Sequence, residues 1–140
     1  VTPISHIDPP LWDQSMAINV TANYRLIRSL DALLRASDAG RVVMVSSGVA
    51  RFPLAYWGAY AASKSALESL TLTYAAELQK TRVRVNLLAP GVIRTAMRAS
   101  AFPGEDPATL PEPDTIADLF LQLCLPDAGI PHGKRIAALA

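Results

Sequence analysis

The sequence predicts an α/β fold, a doubly wound parallel sheet of which this chain would carry about three strands with flanking helices. Three observations carry that expectation. Helix-like and strand-like segments alternate in the order helix, strand, helix, strand, helix, strand. The two central strand segments, 41–47 and 83–89, are apolar runs without polar alternation, as expected of strands buried on both faces. Their carboxyl ends are Ser46-Ser47 and Pro90-Gly91, and in such sheets ligands sit outside the carboxyl ends of the strands.

The elements follow in order. Asp8-Pro9-Pro10 opens a helix over 11–36, with Asp8 as N-cap and prolines where a first turn tolerates them. Met16, Val20, Ile27, Leu30 and Leu34 recur close to the helical period. Ser37-Asp38-Ala39-Gly40 ends the helix with turn chemistry. The strand over 41–47 and a loop holding Gly48, Pro53 and Gly58 come next. A second helix over 59–80 places Leu67, Leu70, Tyr74 and Leu78 on one face, and Ala61, Ala62, Ala66, Ala75 and Ala76 permit close packing. After the strand over 83–89, residues 94–113 read as irregular, with prolines at 103, 107, 111 and 113. A third helix spans 114–125, and a last strand could start within 133–140.

Composition narrows the function. The 140 residues suit one domain, and 51% of them are hydrophobic, enough for a sizeable core. Thirteen basic and twelve acidic side chains, dispersed along the chain, give a net charge of +1 and no basic stripe for nucleic acid or an anionic membrane. Apolar runs fall far short of the ~20 residues that span a bilayer. The single cysteine, Cys124, excludes an internal disulfide and suits a reducing compartment, so the cytoplasm is the expected location. Cys124 itself reads as a small buried residue on a helix. His6 and His132 have no acidic or cysteine partner at ligand spacing, so no metal is expected. The first residue is Val1 and the chain breaks off in an apolar stretch, so both ends are expected to be cuts in a longer chain.

One constellation points to chemistry. Tyr60 and Lys64, four apart near a helix start, share a face. A nearby ammonium and the positive helix end both favour a phenolate, which lets a tyrosine exchange protons near neutral pH. Ser47, at a strand end, can hydrogen-bond a substrate oxygen and stabilise charge there; a turn-satisfying serine is the plainer reading. Asn19 is a polar amide in the apolar helical stretch Met16-Ala17-Ile18-Asn19-Val20. Either it bonds a nearby backbone group, or it marks a helix kink whose water relays protons to Lys64.

Asn19, Ser47, Tyr60 and Lys64, in that order, resemble the tetrad of the short-chain dehydrogenase/reductases. Residues 40–47 resemble that family's serine-bearing strand, 58–64 its active-site helix start, and 84–95 its strand and Pro-Gly turn beside the nicotinamide. Residues 94–107 further resemble a bacterial subgroup of uncharacterised oxidoreductases near the oxoacyl-carrier-protein reductases. The resemblance implies a Rossmann-like fold and an oxidoreductase that transfers hydride between NADP or NAD and a small-molecule carbonyl or alcohol. It implies that Tyr60 is the general acid/base, that Lys64 favours its phenolate and binds the nicotinamide ribose, that Ser47 polarises the carbonyl and that Asn19 positions the relay water. Ile93 and Thr95 would hold the carboxamide, Pro90 and Gly91 would shape the turn, and 96–113 would be the substrate lid. The family's glycine-rich phosphate loop is missing, so residues 1–140 read as a partial domain, not expected to bind cofactor tightly alone, with an exposed sheet edge. A homodimer or homotetramer through helices 11–36 and 59–80 is also implied.

A non-catalytic interaction module on the same scaffold is the alternative, and an epimerase or dehydratase a third. A binding scaffold has no use for all four groups, which favours the enzyme. Arg94 and Arg98, at the start of the lid, could attract an anionic substrate or a cofactor phosphate, or stand solvated. Trp12 and Trp57 read as packing residues.

Overall fold

Parallel strands β1 (Arg41–Val45), β2 (Arg84–Ala89) and β3 (Arg135–Ala137) form one sheet in the order β1-β2-β3, with β2 in the centre. The computed structural model describes residues 1–126 and 129–139. Helix α1 (Pro9–Met16) runs through a π-helical turn (Ala17–Thr21) into α2 (Ala22–Ala36). After β1 come α3 (Gly58–Glu77), then β2, α4 (Ala96–Ala101) and α5 (Ala117–Cys124), and last β3. This is the parallel α/β arrangement the alternation predicts, and it fits the Rossmann-like fold the resemblance implies. The expected last strand is β3; Ala140 lies outside the described residues.

Helices cover both faces of the sheet. On one face Tyr74 and Ala75 of α3, with Leu78 just past its end, meet Val83 and Val85, and Ile27 and Leu34 of α2 pack against them. On the other face Leu88 packs with Ile116 and Leu123, and with Phe120 of α5. Leu67, Leu78, Val85, Leu87 and Leu88 are fully buried, each contributing roughly 1.5–3 kcal/mol of apolar transfer. The α2–α3 contact is closed by Tyr74, whose hydroxyl donates to Asp31 Oδ1 at 2.7 Å.

Several expectations are corrected. β2 is buried from Val85 to Ala89, but β1 is buried only in part, and Val45 at its end is 41% exposed. In α2 no residue is fully buried, and Leu30 faces outward although its spacing fits the apolar series. Helix α3 stops at Glu77, and the Thr81 hydroxyl donates to the Leu78 carbonyl just beyond its end. Residues 94–113 are not wholly irregular: Thr95 caps α4 by accepting the Arg98 N–H, and Asp106 does the same for the turn at Pro107–Thr109. The third helix begins as a 3-10 turn over Pro113–Ile116. Cys124 is exposed, not buried, because it ends α5 on the side away from Leu123. Trp12 is largely exposed on α1 as well.

Candidate active site

A cleft of about 420 Å³ opens at the carboxyl ends of β1 and β2. Ser47, Tyr60, Lys64, Pro90, Gly91, Ile93 and Thr95 all line it. Ser47 comes from the chain just past β1, Tyr60 and Lys64 from the first two turns of α3, and the rest from the turn after β2. Asn19 lies outside this lining.

Lys64 Nζ donates to the Val45 carbonyl at 2.9 Å and lies 5.7 Å from the centre of the Tyr60 ring. Burial of this ammonium pulls its pKa below the ordinary lysine range. Among the described residues neither the Ser47 hydroxyl nor the Tyr60 hydroxyl is engaged by a protein partner, so both are free to meet a ligand.

Asn19 sits inside the π-helical turn. Its Nδ2 donates to Ser63 Oγ at 3.0 Å, and Ser63 Oγ donates to the Tyr60 carbonyl at 2.9 Å. Its own carbonyl accepts from Asn23 Nδ2 at 2.9 Å. The side chain therefore bonds another helix, not the nearby backbone, and connects to the first turn of α3 through Ser63. The widened turn lets that amide leave the helical ladder, as π-bulges at functional sites do.

The cleft wall combines apolar and polar groups. Val45, Pro90, Val92 and Ile93 offer apolar surface for a flat ring, while Lys64 and Thr95 offer polar side chains. Gly91 adopts φ +83°, and a Cβ there would stand 2.8 Å from Leu139 Cβ. The turn can therefore hold only glycine without a shift. No cluster of three or more metal-ligating side chains exists among the described residues.

Beside Tyr60 lies a second chamber of about 300 Å³, lined by Ile7, Leu11, Tyr56, Trp57, Met97 and Ala101 among others, with no charged side chain in its wall among the described residues. Trp57, Tyr60 and Met97 border both spaces. Trp57 stacks on Phe102 with centroids 5.7 Å apart, tying α3 to the segment after α4, which accords with its expected packing role. Tyr56 takes φ 72°, a left-handed conformation costly for a bulky residue and frequent where sites store strain. The arginines at the start of this segment are not free. Arg98 makes two bonds to Glu105, at 2.6 and 2.7 Å, and lies 3.7 Å from the centre of the Phe102 ring. Arg94 pairs with Glu112.

Sequence reasoning missed a buried group behind Ser47. Glu68, 6% exposed, follows Lys64 by one turn on α3. It accepts Ser46 Oγ at 2.6 Å, Arg135 Nε at 2.8 Å and Arg51 Nε at 3.2 Å. Burial alone would push its carboxyl up, but these three hydrogen bonds outweigh that and hold it below the usual glutamate range. The sequence marks only its spacing, one helical turn past Lys64. His132 was also passed over. It accepts the Val85 N–H at Nδ1 and thus donates through Nε2 to the Ala75 carbonyl, 2.8 Å away, bracing the turn before β3.

Comparison with known proteins places this geometry. A family model described as short chain dehydrogenase matches residues 1–106. An uncharacterized oxidoreductase of Escherichia coli K12, YciK, is 50% identical over 123 residues, which cover 88% of this chain and 48% of that protein. A solved short chain dehydrogenase from Salmonella enterica serovar Typhi CT18 superposes with a TM-score of 0.95 at 44% identity, over 100% of this chain and 58% of that one. Another, from Escherichia coli CFT073 and complexed with NADPH, gives a TM-score of 0.94 at 46% identity over the same shares, 100% and 58%. The chain spans about half the length of the curated relatives it matches.

Proposed function

Because the chain belongs to the short chain dehydrogenase family, we propose that it supplies the nicotinamide- and substrate-facing part of an oxidoreductase acting on an uncharged carbonyl or alcohol with NADP(H). One observation carries this reading: two unengaged hydroxyls, Ser47 and Tyr60, and one ammonium, Lys64, line a single cleft at the strand ends. The NADPH complex of a relative supports NADP over NAD. The coverage of about half of each relative supports a domain whose glycine-rich phosphate-binding part lies outside residues 1–140. No described helix is long and apolar enough to cross a membrane. The single cysteine supports a cytoplasmic location.

Lys64, Thr95 and the Ile93 backbone would hold the nicotinamide end, with Gly91 letting the turn approach it closely. When bound, the cofactor supplies or accepts the hydride. In reduction, Ser47 donates a hydrogen bond to the carbonyl oxygen, and Tyr60 delivers a proton to that oxygen as charge develops. Lys64 stabilises the phenolate left behind. Asn19 connects through Ser63 to the first turn of α3 and would organise the water that returns a proton. Oxidation of an alcohol runs the same steps backwards.

The second chamber supports a substrate class. Its wall carries no charged side chain, and the nearby Arg98 and Arg94 are neutralised by Glu105 and Glu112. This supports an apolar alkyl or aryl group beside the carbonyl in place of a carboxylate or phosphate. The test is NADPH oxidation by the full-length protein with aryl–alkyl ketones and with 2-oxo acids. The apolar ketones should turn over and the oxo acids should not. Tyr60→Phe should lower kcat by about 10²–10⁴-fold. Turnover undiminished in Tyr60→Phe, or preference for the oxo acids, would overturn the reading. Leu26, Leu30 and Leu33 form an exposed apolar stripe on α2, which supports a homodimer or homotetramer through the helices at 11–36 and 59–80.

A further inference from the structure

We propose that Glu68 and Arg135 are positioning residues for Ser47, forming a clamp that holds the chain past β1 so that the Ser47 hydroxyl faces the cleft. The proposal rests on the reading of Ser47 as the donor to the substrate oxygen. Three consecutive residues at this point are pinned. Lys64 takes the Val45 carbonyl, Glu68 takes the Ser46 hydroxyl, and Arg135 Nη2 donates to the Ser47 carbonyl at 3.2 Å. The backbone at Ser47 is extended, with φ −150° and ψ 157°. In extended chain successive side chains point to opposite sides, so fixing Ser46 on Glu68 sends the Ser47 side chain the other way, toward the cleft. Ser46 is 2% exposed, whereas Ser47 is only half-buried and lines the cleft.

Arg135 makes the arrangement a clamp. It lies on β3, its Cα paired with Leu87 of β2, yet its guanidinium reaches both Glu68 and the carbonyl beyond β1. One cation thus ties the start of β3 and the chain past β1 to α3 around a carboxylate. A planar fork can serve two acceptors in fixed geometry, which a lysine cannot reproduce. Arg51, from the turn following Ser47, closes the other carboxylate oxygen. A buried ion pair is weak evidence for stability, since desolvation offsets its attraction. Its placement directly behind a reactive hydroxyl assigns it to geometry, where a misplacement of about 1 Å can cost about 100-fold in rate.

The test measures kcat, KM and Tm in the full-length protein for Ser47→Ala, Ser46→Ala, Glu68→Gln and Arg135→Lys, with the double variant Glu68→Gln/Ser47→Ala. Glu68→Gln and Arg135→Lys should lower kcat about 10- to 100-fold with KM for NADPH changed less than about twofold. In the Ser47→Ala background the Glu68→Gln change should cost less than about twofold, because the group it positions is gone. Ser46→Ala removes one hydrogen bond and leaves the ion pair, so it reports even if Glu68→Gln fails to fold; it should lower kcat severalfold with Tm nearly kept. Wild-type kcat in Ser46→Ala and Arg135→Lys, or a Glu68→Gln loss as large without Ser47 as with it, overturns the clamp. Full activity in Ser47→Ala would overturn the reading of the site instead.

Discussion

Gly91 turns the chain out of β2 at φ +83°, with Leu139 pressed against the place a Cβ would occupy. Both constraints act on the same residue, so Gly91→Ala has no cheap escape: it must take a strained φ or push Leu139 aside. Strain of this kind costs about 1–3 kcal/mol. The expected outcome is a lowered denaturant midpoint and weakened NADPH binding in the full-length protein, read by urea titration and by fluorescence of the bound nucleotide. A wild-type midpoint would show that the turn relaxes freely. At this scale the sequence marked Asn19, Ser47, Tyr60 and Lys64 as candidates by type and order, and the last three line one cleft. Glu68 was not marked, because its three donors stand at 46, 51 and 135. Nothing local says that such a carboxylate turns inward.

The helices show how an element can serve two neighbours. Through Ile27 and Leu34, α2 packs on the sheet and α3, and Asp31 accepts the Tyr74 hydroxyl. Leu26, Leu30 and Leu33 recur at i, i+4 and i+7 on a surface that nothing in this chain covers. If that stripe joins copies of the protein, Leu33→Glu should shift the assembly toward monomer in light scattering while the far-ultraviolet dichroism stays unchanged. An unchanged mass would remove α2 from the interface. Helical periodicity alone counted Leu30 with the core series, since a period cannot distinguish the face turned to the sheet from a face turned to a partner. The π-helical turn at Ala17–Thr21 falls where a helix kink at Asn19 is one of two readings, because a single polar residue can signal a kink but not its form.

For the molecule as a whole, two carboxylates connect stability to pH. The Tyr74 hydroxyl, and then Arg35, hold Asp31 below its ordinary value of 3.8; the bonds to Glu68 outweigh its burial and hold it below 4.5. A depressed carboxyl adds stability above its unfolded pKa and loses it as pH falls through the folded one. Thermal stability should therefore stay level down to about pH 5 and decline below about pH 4. Glu68→Gln should be less stable near neutrality and show a shallower acid decline. A pH curve parallel to wild type would disprove the contribution of Glu68. At the alkaline end the sign reverses: burial, and then the Asp31 carboxylate, push the Tyr74 phenol up, so its contribution is present below its ordinary value of 10 and lost on strong alkalinisation.

By itself the sequence determined the alternation of helices and strands, the buried character of β2 and the order of the polar groups near the strand ends. Each is written in local periodicity or residue type, which neighbouring positions express without help from distant ones. Tertiary structure alone decided that Arg94 is spent on Glu112, that Glu68 gathers Ser46, Arg51 and Arg135, and that Arg135 reaches past β2 to the Ser47 carbonyl. These outcomes depend on which strands lie side by side and which charges lose their water together. Those are properties of chain closure over tens of residues, and no short window of sequence contains them.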